Sequence, residues 1–270
     1  MKNMDLKRIL TAVLGLPAVV LVFIFCDKYV IDAMLMIVAI ICMHEYFGVI
    51  EKVSHPIKWG GYVATIIIGI SSFISTEMLM KIVIFGIPIV MLLLFLKVII
   101  TDMKTTFKDV AYTMLGIFYI VLFILFLALI RGLPNGKILI GYTFVIAWST
   151  DIFAYLIGKN FGKHKFSKIS PKKSLEGCIA GIIGAVVISL IYTLLMNTCF
   201  AINYSYIFIG IASMFLSILS QVGDFVASSI KRFADVKDYS NLLPGHGGML
   251  DRIDSLIFLA PFAYMIFTMI

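Results

Sequence analysis

Apolar residues in this chain fall into long, nearly unbroken runs separated by short polar stretches. The runs are Ile9–Phe25, Val30–Met43, Gly61–Thr76, Ile82–Ile100, Val110–Ile130, Ile138–Ile157, Cys178–Met196, Tyr204–Val222 and Ser255–Ile270. A membrane-spanning helix needs roughly 20 consecutive apolar residues. The shorter runs reach that length once their mildly polar flanks are included. Glycines and Pro88 inside the runs are tolerated in membrane helices, where neighbouring helices re-satisfy the freed backbone groups. The pattern predicts an all-α polytopic membrane protein with about nine transmembrane helices. Residues 1–105 form an N-terminal set of helices. Residues 106–270 hold the rest, with long hydrophilic stretches at 158–177 and 223–254.

Composition agrees. Hydrophobic residues make up 61% of the 270 residues and charged residues 14%, against about 25% charged in an ordinary soluble domain. Mean hydropathy is +1.07. No globular interior could hide so much apolar surface, so lipid must be the solvent for most of the chain.

The formal net charge of +7 invites a nucleic-acid reading. No basic helix interleaved with stacking aromatics supports it, and the positive-inside rule accounts for the excess. With the N-terminus in the cytoplasm and nine spans, 18 of the 22 Lys and Arg residues fall on the cytoplasmic side. Only Lys28, Lys81, Arg131 and Lys137 fall outside. The C-terminus is then external, and both long hydrophilic stretches face the cytoplasm of a multi-pass protein of the cell (inner) membrane. Cys26, Cys42, Cys178 and Cys199 form no CxxC pair, so neither a disulfide framework nor a zinc site is indicated. The segment from Met1 to Phe25 resembles a signal peptide but lacks a small-x-small cleavage site, which reads as a retained first span.

Polar chemistry concentrates in a few places. Asp224 closes the eighth run, while Asp251 and Asp254 stand at i and i+3 where the ninth begins, sharing one helical face. Carboxylates at a helix N-terminus are favoured by the dipole. Converging carboxylates also repel unless a cation lies between them, and hard oxygens of this kind suit Mg²⁺. Both readings stand on spacing alone. Asp151 lies about six residues inside the sixth run, where an ionisable group either faces a polar cavity or partner or is a structural aspartate. Six lysines crowd Lys159–Lys173, among them Lys163, Lys172 and Lys173. They anchor topology on anionic lipid. Ser170-Pro171 is in addition a natural N-cap and first position of a helix, which would aim free N–H groups at a phosphate. Finally, Lys231, Arg232, Lys237 and Arg252 alternate with acids around the turn Pro244-Gly245-His246-Gly247-Gly248. Interleaved charge around glycines is what polyphosphate binding needs.

Ser228, Lys231-Arg232, Lys237-Asp238, Pro244-x-His246-Gly247-Gly248 and Asp251-Arg252-x-Asp254 together resemble the signature of the phosphatidate cytidylyltransferases, or CDP-diacylglycerol synthases. Three further stretches are similar to that family: Thr113–Gly116 with Tyr119; Thr150-Asp151 through Tyr155, Gly158 and Gly162; and Ser170-Pro-Lys-Lys-Ser174 with Glu176-Gly177. The likeness runs from about Ala111 to the C-terminus. Ser174 stands where the family more often has Thr, and keeps the hydroxyl.

The resemblance implies that CTP and phosphatidic acid condense to CDP-diacylglycerol and pyrophosphate in the lipid bilayer. It implies Mg²⁺ on Asp224 and Asp251, with Asp254 nearby or on a second cation, mono- or divalent. Lysines and Arg232 would hold phosphates. Asp151, Lys163, Ser170, Lys172, Lys173, Ser174, Glu176, Ser228, Lys237, Asp238, Gly247, Gly248 and Arg252 would contact substrate. His246 is either an acid–base group or a turn-stabilising one. A CTP-dependent polyprenol kinase would share the basic loops but not the complete His-Gly-Gly and Asp-Arg-x-Asp ending. A CDP-alcohol phosphotransferase needs a spaced Asp-Gly…Gly…Asp…Asp motif that is missing, and a secondary transporter would show matching halves, of which there is no sign. The stripe Gly177-x₃-Gly181 packs helices within one subunit or builds a homodimer.

Overall fold

The structure, a computed structural model, describes residues 22–270 apart from 24, 166, 168, 172, 244 and 246. The run Ile9–Phe25 lies outside the described residues save for its last positions, as do Lys172 and His246. The described chain is all-helical, without a named strand: α1 (Lys28–Ile50), α2 (Lys58–Ser72), α3 (Glu77–Ile100), α4 (Phe107–Gly132), α5 (Gly136–Phe161), α6 (Leu175–Phe200), α7 (Tyr206–Phe233) and α8 (Leu250–Phe267). All but α2 and α8 are long and apolar enough to cross a membrane, six helices among the described residues. The protein is an all-helical, multi-pass membrane protein. Its chain folds into two compact units, residues 1–129 with 233–252, and residues 130–232 with 253–270.

In the first unit, α4 is started by a capping box. The Thr106 side chain accepts from the Asp109 N–H, and the Asp109 carboxylate accepts from the Thr106 N–H at 2.7 Å. The same carboxylate takes the Ser54 hydroxyl at 2.5 Å and the His55 N–H at 2.8 Å. That ties the turn after α1 to the start of α4, so a buried aspartate organises two elements at once. Tyr46, fully buried, donates to the Tyr112 carbonyl at 2.9 Å. Pro88 has no N–H for the carbonyl four residues back, and α3 widens to π geometry over Ile82–Gly86 just before it. A second π turn, Ile117–Leu122, follows Gly116 in α4.

In the second unit, α5 and α6 lie against each other along their length. Small residues make this possible: a Cβ on Gly177 would meet the Ala154 carbonyl oxygen at 2.7 Å, and one on Gly181 the Thr150 carbonyl oxygen at 2.9 Å. Lipid gives helices no hydrophobic drive to associate, so close backbone approach and interhelical hydrogen bonds take its place. The Gly177-x₃-Gly181 stripe is thus used within the subunit, and a homodimer would need another surface. Thr150 and Ser217 hydroxyls bond at 2.7 Å between α5 and α7, and Tyr142 donates to Thr193 at 2.9 Å between α5 and α6.

Two expectations change. The hydrophilic stretch 223–254 is not all loop, because α7 continues eleven residues past Val222 to Phe233. With 28 residues it is about 42 Å long at 1.5 Å per residue, more than the roughly 30 Å of a hydrocarbon core. Asp224, Ser228, Lys231 and Arg232 therefore sit on a rigid helix end. Nor does a helix open at Ser170-Pro171. The N-cap is Ser174, whose hydroxyl accepts from the Gly177 N–H at 3.2 Å. The Lys165–Ser174 bridge and the Leu175 N–H bond to the His164 carbonyl hold the preceding residues out of helical register.

Candidate functional site

Where α5 ends and α6 begins, the second unit has a partly open cavity of about 610 Å³. Its size falls within the usual range for small-molecule sites. Lys159, Lys165 and Lys173 supply cations to its wall, Asp151 and Asp224 supply carboxylates, and Ser170 and Ser174 supply hydroxyls. Its floor owes its shape to missing side chains. Gly158 and Gly177 approach so closely that a Cβ on Gly177 would lie 3.0 Å from the Gly158 Cα, and a Cβ on Gly162 would strike the Ser174 hydroxyl. The Ser174 cap thus seats between the end of one helix and the start of the next.

Lys173 makes an ion pair with Asp224, and its ammonium lies 4.4 Å from the centre of the Phe225 ring. One turn beyond, the Ser228 hydroxyl donates to Asp224 at 3.3 Å. Asp254 is buried, and its carboxylate accepts from the Ser255 N–H at 2.7 Å. The charges that act on it are Asp224 and Asp151, which repel, and Lys231, which attracts. A buried carboxylate repelled by two others is costly to keep charged unless a cation compensates.

Asp224 and Asp254 are oxygen donors of the kind a hard divalent cation takes. Among the described residues, no three His, Cys, Asp or Glu side chains gather closely enough to hold a metal by themselves. Mg²⁺ does not need such a cage, since it binds through one or two carboxylates and completes its shell with water and substrate phosphate.

The sequence-predicted residues divide between the units. Asp151, Ser170, Lys173, Ser174 and Asp224 line the cavity, with Ser228 bonded to its wall. Lys163 is exposed at the start of the basic loop and outside the cavity wall. Glu176 turns to that loop, accepting from the His164 N–H at 3.2 Å and pairing with its ring Nδ1 at 2.6 Å. Arg232 is exposed at the end of α7. Lys237, Asp238, Gly247, Gly248, Asp251 and Arg252 belong to the first unit. There Asp251 accepts the N–H groups of Tyr239 at 2.8 Å and Gly248 at 2.9 Å through the same oxygen. A carboxylate assigned to metal thus also shapes the turn before α8. Gly247 has φ +81°, a left-handed conformation that favours glycine. Asp238 stands beside it, about 3.5 Å from where a Cβ would be.

Sequence reasoning missed two groups. Lys159 and Lys165 were legible only as part of a basic loop. Glu45 was hidden because the run Val30–Met43 stops just short of it, whereas α1 continues to Ile50 and buries it. An acid inside a membrane helix was the available signal.

The phosphatidate cytidylyltransferase of Bacillus subtilis (strain 168) is 40% identical over 177 residues, covering 65% of this chain and 64% of its own. Those of Thermotoga maritima and Staphylococcus aureus (strain COL) are each 38% identical, over 172 and 164 residues, covering 62% and 60% of this chain. The matches span 62% and 61% of those proteins, so each relative is matched over less than two thirds of its length. The family model described as "Cytidylyltransferase family" matches residues 6–270, and the chain belongs to that family.

Proposed function

We propose that this protein is an integral-membrane phosphatidate cytidylyltransferase, condensing CTP with phosphatidic acid to CDP-diacylglycerol and pyrophosphate at the cytoplasmic face. The observation that carries the reading is the cavity of the second unit, where three lysines and two carboxylates share one wall with the Ser174 cap. A site that must accept a triphosphate and then release pyrophosphate needs cations that can move between partners. The relatives' names, phosphatidate cytidylyltransferase, support the same substrates.

In the reaction, an oxygen of the lipid phosphate attacks the α-phosphorus of CTP. The bond from that phosphorus to the bridging oxygen breaks, and pyrophosphate leaves with its electron pair. No side-chain nucleophile is required, so the protein's contribution is positioning and charge neutralisation. Lys173 exchanges Asp224 for a phosphate oxygen when CTP enters, and Lys159 and Lys165 attract the same charge. Asp224 and Asp254 are the carboxylates proposed for Mg²⁺, and Asp251 is assigned to metal by resemblance alone. A divalent cation held by those carboxylates would supply charge neutralisation for the triphosphate and for the departing pyrophosphate. The positive end of the α6 dipole, beside Ser174, favours an anion there.

The test is direct. Protein purified into lipid nanodiscs is given CTP with Mg²⁺, with and without phosphatidic acid. Pyrophosphate should appear only when the lipid is present, together with an equal amount of CDP-diacylglycerol. Transfer of phosphate from CTP to a lipid alcohol, or no turnover of either kind, overturns the reading.

A further inference from the structure

The signature turn before α8 is held from a distance. Glu45, buried on α1, accepts the Ser240 hydroxyl at 2.6 Å and the Met249 N–H at 2.8 Å through one oxygen, and the Leu250 N–H at 2.8 Å through the other. Its partners are 195 to 205 residues away in the chain. Both ends of the segment Ser240–Leu250 are therefore fastened to one carboxylate. Within the segment, Leu243 and Gly247 pair as an isolated bridge, and Asp251 gathers Tyr239 and Gly248 from the other side.

Two physical features make Glu45 more than a filler. The first N–H groups of a helix have no partner inside it, and the positive end of its dipole favours an anion. Glu45 answers both for α8 although it comes from another helix. Gly248 is also shaped around it: a Cβ there would lie 2.7 Å from a Glu45 carboxylate oxygen. The glycine leaves the space that the acid occupies.

We propose that Glu45 is a positioning residue for cytidylyl transfer, locking the turn that leads into Asp251 and Arg252 in its working register. The catalytic part of this proposal rests on the cytidylyltransferase reading; the anchoring part does not. A carboxylate is acceptor-only, and all three donors need acceptors. Glutamine keeps the shape but turns one oxygen into a donor, which then faces an N–H or O–H.

The experiment compares wild type, Glu45→Gln, Glu45→Ala, Gly248→Ala and the Glu45→Ala/Gly248→Ala double variant in nanodiscs. Amide hydrogen exchange over residues 239–251 is read alongside kcat, KM for CTP and the melting temperature. For Glu45→Gln, exchange across the turn should accelerate. Turnover should fall roughly 10- to 100-fold, the scale on which small misplacements act, at nearly unchanged KM and melting temperature. Gly248→Ala should do the same in the wild-type background and add almost nothing to Glu45→Ala, because the acid it would strike is gone.

Unchanged exchange and kcat in folded Glu45→Gln overturn the proposal. So does a loss of activity that only tracks loss of folded protein. If the wild type itself does not turn over CTP and phosphatidic acid, the cytidylyltransferase reading fails, while the exchange data still decide whether Glu45 anchors the turn.

Discussion

The Lys173 ammonium lies against the Asp224 carboxylate, joining the segment just before α6 to the C-terminal part of α7. Both side chains are only partly exposed, 21% and 29%. Water therefore screens the pair less than it would on an open surface. Lys173→Ala should weaken use of CTP by about 1–3 kcal/mol, the value of a charged hydrogen bond, seen as a higher KM in initial-rate measurements. Normal kinetics would make the pair a purely structural link between two helices.

The metal proposal is checked by removing charge while keeping shape. Asp224→Asn should lower activity by roughly 10²-fold, the order of losing one strong electrostatic contact to the transition state. EDTA should abolish wild-type turnover and Mg²⁺ restore it. Calorimetric titration of Mg²⁺ in the presence of CTP gives a readout independent of turnover. Full activity of Asp224→Asn would show that this aspartate serves only Lys173 and Ser228.

Orientation has an internal reporter. Cys199 is a free, exposed thiol near the end of α6. A membrane-impermeant thiol reagent applied to intact cells should label it. A cysteine placed at Lys163, in a variant lacking Cys199, should resist until the membrane is opened. The opposite pattern would reverse the topology inferred from charge.

Helix packing in the second unit is sensitive to one methyl group. Gly177→Ala places a Cβ 2.7 Å from the Ala154 carbonyl oxygen, where α5 cannot yield without disturbing Ser174 and Gly158. Overpacking of this kind costs about 1–3 kcal/mol. A clear drop in melting temperature in nanodiscs is expected, whereas Gly132→Ala, with nothing within 4 Å, should leave it nearly unchanged.

Local order explains which expectations held. Helices α5 and α6 are close to the apolar runs that announced them, since each satisfies its backbone within one segment. Polar ends were harder. The helical part of α7 beyond Val222 is amphipathic and charged, so hydropathy assigned it to a loop. Ser170-Pro171 is a good helix start taken alone, and it loses to Ser174 because the Lys165–Ser174 pairing and the Gly158–Gly177 contact come from elsewhere in the fold.

The amino-acid sequence by itself determined that this is a polytopic helical membrane protein of the cytidylyltransferase family, and that its chemistry lies in a few charged stretches. Apolar runs and a motif of closely spaced residues are short-range properties, readable one segment at a time. Only the tertiary structure decided that Asp151, Lys159, Lys165, Lys173 and Asp224 share one cavity, and that Glu45 holds a turn some 200 residues away in the chain. Those facts depend on which helices meet and how near their backbones come. Glycines at 158, 177 and 248 set those distances by what they lack.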